Sequence, residues 1–358
     1  MRYIIRFTAL LLFVIGIQGC ISDIEFDPIN NIEDTLAIQG QFAQGDPHVF
    51  TARIGRVRDF SGRSIPIVVR EVVLSNEMGQ EVVIPNTNNE NYALEIPANS
   101  PDFVVEEFMT FNLRVRTADG RIYQSTDEPL LPVPVVEEAN ASVVERETVG
   151  AADRIVLQPM LSYSVNTGLT MPNSDELIGV RWTFSETFQL TDTPPDGSEP
   201  KSCFITQNLG AADEIVVDPS TLGLTRLDDF ILFERSIGST YAEGNYFTIL
   251  QSSLSPGALE YFSAISNIIV RDGNIFESPA GRIISNFSNV DDPEDEVFGY
   301  FYATQIDTAR VFLTPADIGP NVTPRCPPNS MRPVECPDQA CCDCLTEDNS
   351  TLERPEWW

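Results

Sequence analysis

The run FNLRVRTADGRIYQST, residues 111–126, decides the fold class. Short stretches rich in Phe, Val, Ile and Tyr flank Ala118-Asp119-Gly120, and an Asp-Gly step between two such stretches marks a tight β-hairpin. Upstream, LAIQGQF (36–42), HVFTARIGRV (48–57), PIVVREVVL (66–74), QEVVI (80–84) and NYALEI (91–96) have the same β-favouring composition. Asn76-Glu77-Met78-Gly79 supplies a second turn. With FMTFNLRVRT (108–117) and RIYQST (121–126), seven short strands fall within about ninety residues, which predicts an immunoglobulin-like β-sandwich over 36–130. His48 opens the second strand and reads as a surface or partly buried strand residue, since no partner ligands accompany it.

Downstream, EPLLPVPVVEE (128–138) carries three prolines and reads as an extended connector, so the domain boundary is placed there. A second β-rich domain is expected over 131–323. Its runs are SVVERETV (142–149), RIVLQPMLSYSV (154–165), IGVRWTFSETFQL (178–190) and CFITQ (203–207). Trp182, Phe184 and Phe188 show the alternation of a core-facing strand, which favours packing over sugar stacking for Trp182. Ser255-Pro256 is an N-cap followed by proline in the first turn, and Asp272-Gly273 closes the segment. A helix over 256–271 follows, with Ala258, Leu259, Phe262, Ile265 and Ile269 on one face, covering one side of the second sandwich. The strands resume in RIISNFSN (282–289), VFGYFYATQI (297–306) and ARVFLTP (309–315). Between them, Asp291, Asp292, Glu294 and Asp295 offer oxygens for calcium, but without EF-hand spacing the segment 290–296 reads as a solvated loop. The fold class is therefore mainly β: two β-sandwich domains, the second with one covering helix and a pinned C-terminal tail.

That tail, 324–358, is rich in cysteine. Apart from Cys20 there are six cysteines: Cys203, Cys326, Cys336, Cys341, Cys342 and Cys344. In an exported protein an even set reads as disulfides, and six thiols allow 15 connectivities that sequence does not choose among. Cys203, with no local partner, is expected to staple the second domain to the tail. Cys341-x-x-Cys344 has the spacing of a zinc or redox half-site but lacks a second regular pair. Trp357 and Trp358 then end the chain as an aromatic plug, packed on the parent domain or docked to a partner.

Composition limits the chemistry. Asp and Glu number 53 against 22 Lys and Arg, a net charge of −31, so a phosphate backbone is repelled and nucleic acid is not an expected partner. There is one histidine, His48, and one lysine, Lys201. Histidine triads, HExxH sites and multi-histidine metal centres cannot be built from such a chain. Carboxylate-pair chemistry stays open, yet with 53 acids some pair always looks suggestive. No catalytic residue, cofactor or metal site is assigned, and the expectation is a non-enzymatic protein.

The N-terminus is more specific. In MRYIIRFTALLLFVIGIQGC (1–20), Arg2 and Arg6 precede an apolar run from Ala9 to Ile17 that stops at Gln18-Gly19-Cys20. This is the shape of a secretory signal over 1–19, and the run is shorter than the roughly 20 apolar residues of a membrane span. Cys20 is the expected site of lipid attachment. An acidic linker, 20–35, follows with Asp23, Glu25, Asp27, Glu33 and Asp34, and it resembles the surface-export signal of Bacteroidota lipoproteins. Asp34-Thr35-Leu36 and Asp307-Thr308-Ala309 resemble the short O-glycosylation pattern of the same bacteria, a pattern too common to carry weight.

Several landmarks occur in a characteristic order: Cys20, LAIQGQ (36–41), DGRIYQS (119–125), VRWTFSET (180–187), NFSNVDDPEDEVFGYF (286–301) and the cysteine tail ending in RPEWW (354–358). Together they resemble a Bacteroidota lipoprotein family catalogued as domain of unknown function 4249. The resemblance implies an outer-membrane lipoprotein encoded beside TonB-dependent receptors, and it brings no catalytic residues. The expected function is that of a surface-exposed outer-membrane lipoprotein, anchored in outer-membrane lipid through Cys20. It would act as accessory binding partner of a TonB-dependent barrel in nutrient uptake. The alternative is a structural or assembly subunit of a larger outer-membrane complex.

Overall fold

The computed structural model describes residues 35–56, 65–149, 154–210, 214–269, 283–319, 322–326, 336 and 338–358, and the chain is mainly β. The signal segment, Cys20 and most of the acidic linker lie outside the described residues. In chain order the longer strands are β1 (Leu36–Gln44), β2 (His48–Arg56), β3 (Val69–Asn76), β4 (Asn91–Ile96), β5 (Thr110–Thr117) and β6 (Ile122–Ser125). Then come β7 (Val136–Val149), β8 (Ile155–Gly168), β9 (Gly179–Thr191), β10 (Ser202–Asn208), β11 (Arg226–Ser236), β12 (Asn245–Leu254) and β13 (Phe301–Leu313), with helix α1 (Pro256–Ile269) before β13. The seven expected N-terminal strands all form. Asp119-Gly120 turns β5 into β6, with Gly120 at φ 98° and the Gly120 amide bonded to the Thr117 carbonyl. At the second turn the Asn76 side chain accepts from the amides of Met78 and Gln80, and Gly79 takes φ 76°. Strands β11 and β12 were not among the sequence expectations, although Phe247, Ile249, Leu227 and Leu232 on them are all buried.

A 12-stranded central sheet runs through the molecule, nine of its strands in the order Ser350–Thr351, β10, β9, β12, β13, β1, β2, β4, Asn86–Asn88, while Ile215–Val217, Val297–Phe298 and Ile65–Pro66 pair beside this path with β9, β1 and β2. Strand β1 lies parallel to β13, Gly40 facing Phe301 and Gln44 facing Gln305. The proline-rich connector thus separates two stretches of chain without separating two sheets. The chain returns after residue 283 to complete the N-terminal half, for Phe287–Asn289 also pairs with β6. Phe287, Val297, Phe301 and Ala303 belong to the same core as Ile38, Phe42, Phe50 and Phe111. The connector itself is buried at Leu130 and Val133.

Side chains alternate across a strand, and β13 shows how the layers follow. Its odd positions face the covering sheets: Phe301 and Ala303 meet the six-stranded sheet built on β6, β5 and β3, and Ala309, Val311 and Leu313 meet the three-stranded sheet β7-β8-β11. Trp182 is fully buried in the second of these cores, its Nε1 donating to Gln251 Oε1 at 2.9 Å. The even positions, Tyr302 and Phe312, point to the opposite face, where α1 and the C-terminal tryptophans lie.

The tail is crosslinked to the edge of the central sheet. Disulfides join Cys203 to Cys344, Cys326 to Cys341, and Cys336 to Cys342, so Cys203 does staple the strands to the tail. The buried Asp192 carboxylate accepts from the amides of Lys201 and Cys344, and Lys201 Nζ lies 2.7 Å from Asp343. Trp358 packs 4.9 Å from Phe204 and 5.2 Å from Tyr246, while Arg310 sits over Trp357. The plug is packed on its parent.

Candidate functional site

The even face of β13 and its neighbours carries a cleft. Cross-strand register builds its floor from two rungs. Tyr302, Gln41, Thr51 and Ala93 stand side by side on β13, β1, β2 and β4, and Gln39, Arg53 and Asn91 form the next rung. Directly opposed side chains on one sheet face are about 4.5–5.5 Å apart at Cβ, so each rung is a continuous row of side chains, polar except at Ala93. Among the described residues, the side chains of Gln39, Gln41, Thr51 and Asn91 have no hydrogen-bond partner within the chain.

Helix α1 lies beside the cleft, its Phe262 packed on the lining residues Tyr302 and Arg181. Its N-cap is Ser255, whose Oγ accepts from the Ala258 amide at 3.1 Å, and its described part ends at Ile269. Ala258, Tyr261 and Phe262 are buried, with Leu259 and Ile265 partly so, whereas Ile269 is 45 % exposed. Tyr261 is thus part of the buried face, and Ile269 is not. Close seating is possible because β9 presents Gly179 beneath the helix: a Cβ there would lie 2.8 Å from the Leu259 methyls. Beside it, Arg181 is held on three sides. Its guanidinium lies 4.2 Å from the Phe262 ring centroid, donates to the Tyr302 hydroxyl at 2.6 Å, and pairs with Glu214 at 2.7 Å. Burial pushes the Tyr302 phenol up from its ordinary value, so it stays protonated beside that cation.

The resulting cleft has a volume of about 390 Å³. Among the described lining residues there are two cations, both neutralised, Arg181 by Glu214 and Arg53 by Glu90 at 2.8 Å, and no carboxylate. What it offers is unspent amide and hydroxyl groups that both donate and accept, the pairing that hydroxyl-rich neutral molecules need. A second hollow, of about 490 Å³, lies between the connector and the turn at 170–175; its Glu137 is bound by Arg226.

The residues singled out from sequence fall elsewhere. His48 is not at the surface or half-buried as expected but buried; its Nδ1 accepts from the Gly45 amide at 3.1 Å, and burial holds its pKa below the ordinary value. In the 290–296 loop, Asp295 turns inward and accepts from Tyr123 and Asn289 at 2.7 Å and from Arg121 at 3.2 Å. Burial opposes ionisation there, yet these bonds hold Asp295 below its usual value, while burial pushes Tyr123 up to about 12. Among the described residues no group of three or more His, Cys, Asp or Glu side chains is arranged to hold a metal ion. Thr308 lies within β13, and Asp307 accepts from the Val136 amide at 2.7 Å. The cleft residues escaped sequence reasoning because they come from five strands spread along the chain; the polar alternation in LAIQGQF was a local sign of a face left uncovered.

A comparison with curated proteins finds no match. The sequence profile of the family described as Domain of unknown function (DUF4249) matches residues 21–310. The match takes in every element of the cleft and closes inside β13, before the cysteine-rich tail. Covering well over half of the sequence, it establishes that the chain belongs to the family Domain of unknown function (DUF4249).

Proposed function

We propose that this protein is a non-enzymatic, lipid-anchored outer-membrane lipoprotein, facing the cell exterior, that presents a neutral, hydroxyl-rich nutrient to a TonB-dependent receptor. The observation that carries the ligand class is the pair of polar rungs across β13, β1, β2 and β4, with free amides and hydroxyls and neutralised cations. The anchor and the surface location are supported by the signal ending at Cys20 and the acidic stretch behind it. The receptor partnership is supported by the ordered landmarks of the Bacteroidota lipoprotein family.

Calorimetric titration of the lipid-free protein with a panel of neutral oligosaccharides tests the ligand class. A saccharide is expected to bind, and Gln41→Ala with Thr51→Val to weaken it about tenfold, as the loss of two hydrogen bonds implies. Binding that is unchanged in this variant, or no binding by any saccharide, counts against the proposal.

A further inference from the structure

Strands β7 and β8 continue as an arm beyond the core they help to build. Their pairing is unbroken from Ala139 opposite Val165 to Val149 opposite Ile155, whereas β11 accompanies β8 only as far as Met160. Past that point, among the described residues, these two strands pair only with each other. Ala139, Ala141, Tyr163 and Val165 look into the core, and the same parity carries Val143, Glu145, Glu147, Val149, Ile155 and Leu157 along one side of the arm. Val149, Ile155 and Leu157 are 74 %, 71 % and 63 % exposed. The opposite side is satisfied within the chain: Arg146 is held by Glu234 at 2.9 Å, and Gln158 bonds Thr148 and Ser236. Glu145 and Glu147, in contrast, have no ion-pair or hydrogen-bond partner among the described residues. The arm therefore neutralises Arg146 on the far side and leaves two carboxylates among apolar groups on the near side.

We infer that the near side of this arm docks a protein partner through a segment that alternates apolar side chains with Lys or Arg. Charge decides the occupant. A second copy of this chain, itself at −31, would bring Glu145 and Glu147 against their own equivalents, and like charges directly opposed are destabilising. Acidic side chains on an edge strand deter pairing with copies of itself, while a basic segment gains both the apolar contact and the charge complement. Carboxylates among the apolar groups also disfavour an anionic lipid surface. The inference rests on the accessory-protein reading above and adds the surface and the chemistry of the partner.

The test places a photo-crosslinking residue at position 157 of the full-length protein in its own cells, beside co-purification of the wild type in mild detergent. A crosslink to a partner peptide bearing Lys or Arg at alternate positions is expected. The yield should fall about tenfold when Glu145→Lys and Glu147→Lys are combined, with the melting temperature unchanged. A co-purified partner with no crosslink at 157, or a crosslink insensitive to the charge reversal, overturns the arm and leaves the accessory reading standing. Crosslinks to lipid alone overturn it in favour of a membrane contact. Neither crosslink nor co-purified partner overturns both.

Discussion

Gln44 and Gln305, 261 residues apart, lie opposite each other in parallel register, and the Gln305 amide donates to Gln44 Oε1 at 2.6 Å. This contact marks the seam along which the end of the sequence completes its beginning. Parallel neighbours need a crossover connection, and here almost the whole chain serves as one.

A segment comprising residues 36–130 alone should therefore not fold. It would lack Phe287, Val297, Phe301 and Ala303 from its core and expose the edge of β1. Absence of a cooperative melting transition and poor amide dispersion in its NMR spectrum are expected. A cooperative transition would show that the seam is dispensable.

Glu128 sits buried where the connector begins, accepting from Ser255 and Tyr300 at 2.6 Å each and from Asn286. Burial raises its pKa above the ordinary 4.5, against the pull of those three donors. Because the folded value exceeds the unfolded one, folding takes up a proton between the two values. That stabilising contribution is complete below about pH 4.5 and is lost as pH rises through the folded value. From pH 5 upward the melting temperature of the wild type should fall more steeply than that of Glu128→Gln. Parallel curves would assign Glu128 no such role.

Removing the Cys203–Cys344 staple, by Cys203→Ala with Cys344→Ala, should cost about 2–4 kcal/mol in denaturant unfolding, the usual range for a disulfide. The same variant should red-shift tryptophan fluorescence, because Trp358 loses its seat on Phe204 and Tyr246. An unshifted spectrum would mean that ring packing holds the tail without the bond.

Cys20→Ser should abolish incorporation of labelled fatty acid and move the protein to the aqueous phase in detergent partitioning, since stable anchoring takes more than one acyl chain. Labelling that persists would place the lipid elsewhere.

Local order was legible in the sequence and long-range order was not. The Asp119-Gly120 hairpin and the Ser255-Pro256 helix start are decided by residues a few positions apart, and both appear where expected. The pairing of β1 with β13 leaves no local mark, because a parallel register across 261 residues depends on everything between them. The cleft was hidden for the same reason: Gln41, Thr51 and Tyr302 become one rung only when the sheet is assembled. Cys203 could be assigned to the tail by elimination, but choosing Cys326–Cys341 and Cys336–Cys342 needed the turn around Gln339–Cys342.

The most direct test of the central claim is recovery of the tagged, lipid-anchored protein from its own outer membranes in mild detergent, read by mass spectrometry. The accessory role predicts one TonB-dependent receptor at near equal stoichiometry. A set of assembly or secretion components without a receptor, or the protein alone, would contradict it.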